Sequence, residues 1–133
     1  MPSGHILVVD DEPDLVRALT IRLRAAGYRV TAAVDAVGAV AAFLDDRPDL
    51  VLLDLVLPSA DGHAVLARLQ GLDRESAPPV VCLTASTAVE DRRRALAAGA
   101  VAFLTKPFDG CELLTTIAGH LAAGRESDAV AAG

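Results

Sequence analysis

Aromatic side chains are nearly absent from the 133-residue sequence: no tryptophan, one tyrosine and three phenylalanines. A core must then be aliphatic, which suits helices laid on a parallel sheet. Long apolar runs are also missing. The longest stretch free of polar side chains, Ala95–Leu104, has ten residues, whereas a membrane span needs roughly 18 or more, so no membrane contact is expected. No charged segment followed by an apolar one opens the chain, so no signal peptide is expected and the reading is cytoplasmic. Cysteine is scarce: Cys82 and Cys111 have neither metal-site spacing nor a disulfide framework. Cys82, in Val80-Val81-Cys82-Leu83, reads as a small core hydrophobe. Basic charge is outnumbered, 12 against 18, giving a net −6. That excludes the basic patch by which a protein neutralises nucleic-acid phosphates. Lysine occurs once, at Lys106; every other cation is arginine.

What is present is a composition of 53% hydrophobic and 23% charged residues, of a length suited to one domain. Strands are expected at Ile6–Asp10, Arg29–Ala33, Leu50–Asp54, Val80–Thr84 and Val101–Thr105. The first, third and fourth are almost continuous aliphatic runs, as strands buried on both faces should be. Helical patterns lie between them. Glu12–Ala26 carries Leu15, Leu19 and Leu23 at i, i+4, i+8, with Pro13 in the first turn and Gly27 as a stop. Asp35 caps Ala36–Asp46, and Asp61-Gly62 precedes His63–Gln70, which Gly71 ends. Thr87-Ala88-Val89-Glu90 has capping-box spacing for a helix closed by Gly99. Asp109-Gly110-Cys111-Glu112 opens Glu112–Ala123, closed by Gly124. The alternation gives an α/β fold, (βα)₅, with a parallel sheet and right-handed crossovers. Residues 4–123 form the domain, and residues 124–133, an Ala/Ser/Gly/acidic stretch, are expected to be a disordered tail.

The polar residues gather where such a sheet binds ligands, beyond the C-terminal strand ends. There stand Asp10-Asp11, Asp54, Thr84 and Thr105-Lys106. Three crowded carboxylates repel one another, and a hard divalent cation relieves that repulsion; oxygen-only ligands favour Mg²⁺. A carboxylate beside Mg²⁺ is a competent nucleophile towards a phosphoryl group, with a lysine and a hydroxyl to hold the transferred oxygens. Each residue also has a plainer reading: Asp10 or Asp11 as a helix cap, Thr84 as structural. Pro107 permits a cis bond after Lys106.

Four segments, Val8-Val9-Asp10-Asp11-Glu12, Leu53 through Gly62, Leu83-Thr84-Ala85 and Leu104-Thr105-Lys106-Pro107-Phe108, resemble the receiver domains of two-component response regulators. The resemblance implies a flavodoxin-like doubly wound fold with a five-stranded parallel sheet in the order 2-1-3-4-5. It also implies roles. Asp54 accepts the phosphoryl group; Asp11, Asp54 and the Val56 carbonyl ligate Mg²⁺, with Asp10 acting through water. Lys106 pairs with the phosphoryl group, Thr84 is the switch hydroxyl, and Phe103 is the switch aromatic. The expected function is a phosphorelay signalling switch rather than an enzyme with a separate substrate. Its phosphodonor is a histidine kinase or histidine phosphotransfer protein, and its output partner is not specified. Val56 and Ser86 flank the approach of a hydrolytic water, which implies slow self-dephosphorylation. Neutralising one acid, as in Asp11→Asn, is expected to stabilise the metal-free fold.

The sequence departs from one branch of that family. Many DNA-binding members pair acidic residues before the last strand's aromatic with a basic residue late in the last helix, across a dimer. Here Gly99-Ala100-Val101-Ala102 precedes Phe103, and Glu112–Ala123 has no Lys or Arg, so that dimer is not expected. The 133 residues leave no room for an output domain beside the receiver, so either a single-domain regulator or a receiver from a longer protein is expected. A haloacid-dehalogenase-like phosphatase would need an acid at Val56, and a flavodoxin would need a phosphate loop where Asp10-Asp11-Glu12-Pro13 stands. A degenerate receiver would lack some of the five site residues, all of which are present.

Overall fold

A computed structural model describes residues 4–57, 60–73, 77–85 and 89–132, with the backbone alone for residue 60 and for 123–132. Along the chain run β1 (His5–Val9), α1 (Pro13–Ala25), β2 (Arg29–Ala33), α2 (Ala36–Asp45), β3 (Leu50–Leu53), β4 (Val56–Leu57), β5 (Ala60–Asp61), α3 (Gly62–Leu72), β6 (Val80–Thr84), α4 (Val89–Ala97), β7 (Ala102–Thr105) and α5 (Gly110–Ala132). Five strands form one parallel sheet in the order β2-β1-β3-β6-β7. With the two-residue antiparallel pair β4–β5 set aside, this is the expected flavodoxin-like order. The sequence pattern does not announce β4–β5, because two residues carry no periodicity.

Alternate residues of each central strand face opposite layers. Leu7, Val9, Val51, Leu53, Val80 and Cys82 pack towards α2, α3 and α4, where Ala39, Phe43, Val65, Leu66, Leu69 and Ala95 meet them. Ile6, Val8, Leu50, Leu52, Val81 and Leu83 pack towards α1 and α5, against Leu19, Leu23, Leu113 and Ile117. Burial on both faces is why these strands read as unbroken aliphatic runs. Cys82 is part of this core, and burial, then the charge of Asp54, push its thiol up to about 12.

Local signals set most boundaries. Pro13 starts α1, the Asp35 carboxylate accepts the Gly38 N–H at 2.7 Å, and Asp61 accepts the His63 N–H. Asp109 accepts from Cys111 and Glu112 at the start of α5. Thr87 of the expected capping box lies outside the described residues. Gly27 and Gly99 stop their helices with φ of 99° and 110°, a conformation costly for residues with a Cβ.

Two stops are corrected. α3 runs through Gly71 to Leu72, and α5 runs through Gly124 to Ala132 where a disordered tail was expected. A glycine ends a helix only if the chain turns there into a left-handed conformation. Within a helical segment it costs roughly 1 kcal/mol, which neighbouring helix formers such as Ala, Arg and Glu offset.

Candidate functional site

Parallel pairing carries the polar residues to one edge. The Asp54 N–H donates to the Val9 carbonyl, and the Lys106 N–H to the Thr84 carbonyl at 2.8 Å. These bonds extend the ladders one residue past β3 and β7. Asp10, Asp54 and Lys106 thus follow directly on the C-terminal ends of β1, β3 and β7. The Lys106–Pro107 peptide is cis.

The side chains converge on Lys106. Its Nζ lies 2.8 Å from Asp10 Oδ2, 3.1 Å from Asp54 Oδ2 and 3.2 Å from Glu12 Oε1. Asp10 is 2% exposed and Asp54 5%. Both second oxygens are held as well: Asp10 Oδ1 accepts the Glu12 N–H at 3.0 Å and Asp54 Oδ1 accepts the Val56 N–H at 2.9 Å. Desolvation raises the Asp10 carboxyl above its usual range, against the lowering effect of Lys106 and the Glu12 N–H. Burial alone would lower the Lys106 ammonium; its hydrogen bonds to Asp10 and Asp54, and their charges, outweigh that and hold it above its usual value. The cleft is therefore a buried pair of acids bridged by a cation that stays protonated.

The expected residues do not all arrive together. Asp10, Glu12 and Asp54 bring carboxylate oxygens within 4.8 Å of one another. Asp11 is exposed and is not in that group. The third carboxylate of that group is Glu12, whose side chain is 59% exposed. The signal was the acidic triplet itself; which members turn inward depends on the loop entering α1, where Asp10 turns back onto the Glu12 N–H. Val56 is 63% exposed, and its backbone N–H donates to the Asp54 carboxylate. Thr84 is fully buried at the end of β6, registered with Thr105. Phe103 is half-buried on β7 opposite Cys82, packed against the α2–α4 layer. Ser86 lies outside the described residues.

Comparison with known proteins gives concordant results. The family model of the response regulator receiver domain matches residues 6–118. The chain is 40% identical over 113 residues to "DNA-binding dual master transcriptional regulator RpaA" of Synechocystis, covering 85% of this chain and 47% of that protein. It is 43% identical over 112 residues to "Transcriptional regulatory protein KdpE" of Mycobacterium tuberculosis, covering 84% of this chain and 48% of that one. The chain thus spans about half the length of the curated relatives it matches. Among solved structures, a CheY-like response regulator receiver domain protein from Methanospirillum hungatei superposes with a TM-score of 0.88 at 27% identity, covering 95% of this chain and 99% of that one. NtrX from Brucella abortus superposes with a TM-score of 0.90 at 31% identity, over 98% of this chain and 30% of that one.

Proposed function

The chain belongs to the response regulator receiver domain family, and on that premise we propose that it is a phosphorelay switch phosphorylated on Asp54 by a histidine kinase or a histidine phosphotransfer protein. One observation carries the reading: a single lysine bridges two nearly buried aspartates at 2.8 and 3.1 Å on the ligand-binding edge of the sheet. An oxygen of Asp54 forms the new bond to phosphorus while the donor's phosphorus–nitrogen bond breaks, and the electron pair leaves with the imidazole. Lys106 shifts its donors from Asp54 Oδ2 to the arriving phosphoryl oxygens. Thr84 supplies a hydroxyl donor to the same group, and Phe103 follows into the space that Thr84 leaves. Residues 4–123 are taken as the unit that does this. The chemistry is confined to the chain's own Asp54, so the protein is a signalling phosphoacceptor rather than an enzyme with a separate substrate.

A hard divalent cation fits the donor set, since every candidate ligand is oxygen and three carboxylates already crowd within 4.8 Å. We assign Mg²⁺ to Asp11, Asp54 and the Val56 carbonyl, with Asp10 acting through water, as the family resemblance implies, and with Glu12 close to Asp10 and Asp54. When bound, Mg²⁺ neutralises charge on the transferring phosphoryl oxygens. The net charge of −6 supports a protein rather than nucleic acid as this chain's own partner. No described helix is long and apolar enough to cross a membrane.

Incubation with acetyl phosphate tests the reading. With Mg²⁺, intact mass spectrometry should show one added phosphoryl group per chain; with a chelator the gain should disappear. No gain in the presence of Mg²⁺, on a folded protein, would overturn the proposal.

A further inference from the structure

Eight large hydrophobic side chains are exposed among the described residues, and three of them, Val34, Val37 and Leu44, lie on or just before α2. That helix has no charged side chain before Asp45. Its inward face, Ala39 and Phe43, already supplies the core. Val37 is 81% exposed and Leu44 54%, with exposed Ala41 between them. The spacing i, i+4, i+7 makes a second apolar stripe on the opposite side of the helix, and the fold does not use it. Beside it runs a groove of roughly 420 Å³ lined by Ala36, Val37, Val40, Ala41 and Arg68 of α3. Arg68 and Asp45 are exposed, and neither has an ion-pair partner among the described residues.

We propose that this face docks a second copy of the chain, with the two α2 helices antiparallel about a two-fold axis between Val40 and Ala41. The surface is self-complementary in that arrangement, as an isologous interface requires. Val37 of each copy meets Leu44 of the other, and the small Ala41 near the axis lets the helices approach closely. The charges match as well. Arg68 shares the groove with residues 36–41, the half of α2 where the other copy's C-terminal end arrives carrying Asp45. The pair becomes Arg68 to Asp45 at both ends. A chain of net charge −6 repels its own copies, so an apolar stripe with a cation at one end and an acid at the other suits a copy of itself in this one orientation. Docking here leaves the Asp54 cleft free, because the stripe of Val37, Ala41 and Leu44 includes none of the cleft residues Asp10, Glu12, Asp54 and Lys106.

Sedimentation equilibrium of the full chain from micromolar to millimolar concentration tests it. The weight-average mass should rise from 13.7 kDa towards twice that value. Val37→Lys and Leu44→Lys, both at exposed positions, should stay at the chain mass while keeping the wild-type circular dichroism spectrum. Arg68→Asp and Asp45→Arg should each weaken association roughly tenfold, and the double reversal should restore it. A wild-type chain that stays monomeric throughout overturns the proposal. So does association that Val37→Lys leaves intact, or a double reversal that restores nothing.

Discussion

At Lys106 one ammonium faces three carboxylates, two of them nearly buried. The acids outnumber the cation, so the metal-free cleft stores unfavourable charge. The sequence alone points to Asp11→Asn as the substitution that relieves it. The geometry moves that effect to Asp10, because Asp11 is exposed and outside the group. With its carboxyl raised by desolvation, Asp10 favours folding fully only below the ordinary carboxylate range, and that contribution is lost as pH rises through the folded value. Asp10→Asn should therefore raise stability at neutral pH by on the order of 1 kcal/mol without metal. Denaturant melts at pH 7 in chelator check this, and the gain should shrink as the buffer is taken towards pH values where Asp10 is itself neutral.

Lys106 has the opposite dependence. Its folded-state value is raised, so its contribution is complete below about pH 10.4, the unfolded value, and is lost as pH climbs through the folded one. Lys106→Met should lower the melting temperature at neutral pH, since Asp10 and Asp54 are left without their cation. Its melting temperature should also fall less steeply than the wild type's above that pH, which a thermal melt series reads directly. For Val56 the expected effect is on a rate instead. Val56 is exposed, its backbone N–H donates to the Asp54 carboxylate, and its aliphatic side chain can offer a hydrolytic water no hydrogen bond. Val56→Asn should speed phosphate release roughly fivefold to tenfold, about 1 kcal/mol of barrier, in a time course at saturating Mg²⁺. Equal decay rates would remove Val56 from the mechanism.

The elements differ in how well the sequence announces them. β2 and β6 match their expected bounds, β3 and β7 differ by one residue at one end, and β1 is shifted by one residue at both, because double-sided burial or alternation leaves a direct trace in residue type. Helix starts are legible for the same reason that they are stable: Asp35, Asp61 and Asp109 each accept N–H groups that the first turn leaves unpaired. Asp35→Ala should cost about 1 kcal/mol in a chemical melt. Helix ends are less legible. The same residue type stops α1 at Gly27 and continues inside α5 at Gly124, and the difference lies in backbone angles that later contacts set. Glu12 is hard to recognise as a member of the site for a related reason. Three consecutive acids look alike in sequence, and the loop alone decides that Asp10 and Glu12 turn towards Lys106 while Asp11 faces solvent.

At the scale of the molecule, topology makes distant residues neighbours. Asp10, Asp54 and Lys106 are far apart in sequence, yet parallel pairing with right-handed crossovers delivers them to one edge. The edge residues are legible in the sequence because each polar residue interrupts an aliphatic strand at its C-terminal end, where burial would otherwise exclude it. The layers carry the consequence outward. Thr84 and Phe103 sit on adjacent strands, and Phe103 packs in the layer that holds Ala95 of α4, so on the proposed function a change at Asp54 is expected to reach the α4–β7 surface. α2 packs against β2 and β1, away from β6 and β7 in the strand order, so the proposed self-association is expected to leave those strands untouched.

The most direct test locates the phosphoryl group. After treatment with acetyl phosphate and Mg²⁺, reductive trapping of the acyl phosphate and peptide mapping should place the whole label on Asp54, and Asp54→Ala should carry none. A label of undiminished size in Asp54→Ala, or one mapped to Asp10 or Asp11 in the wild type, would contradict the account.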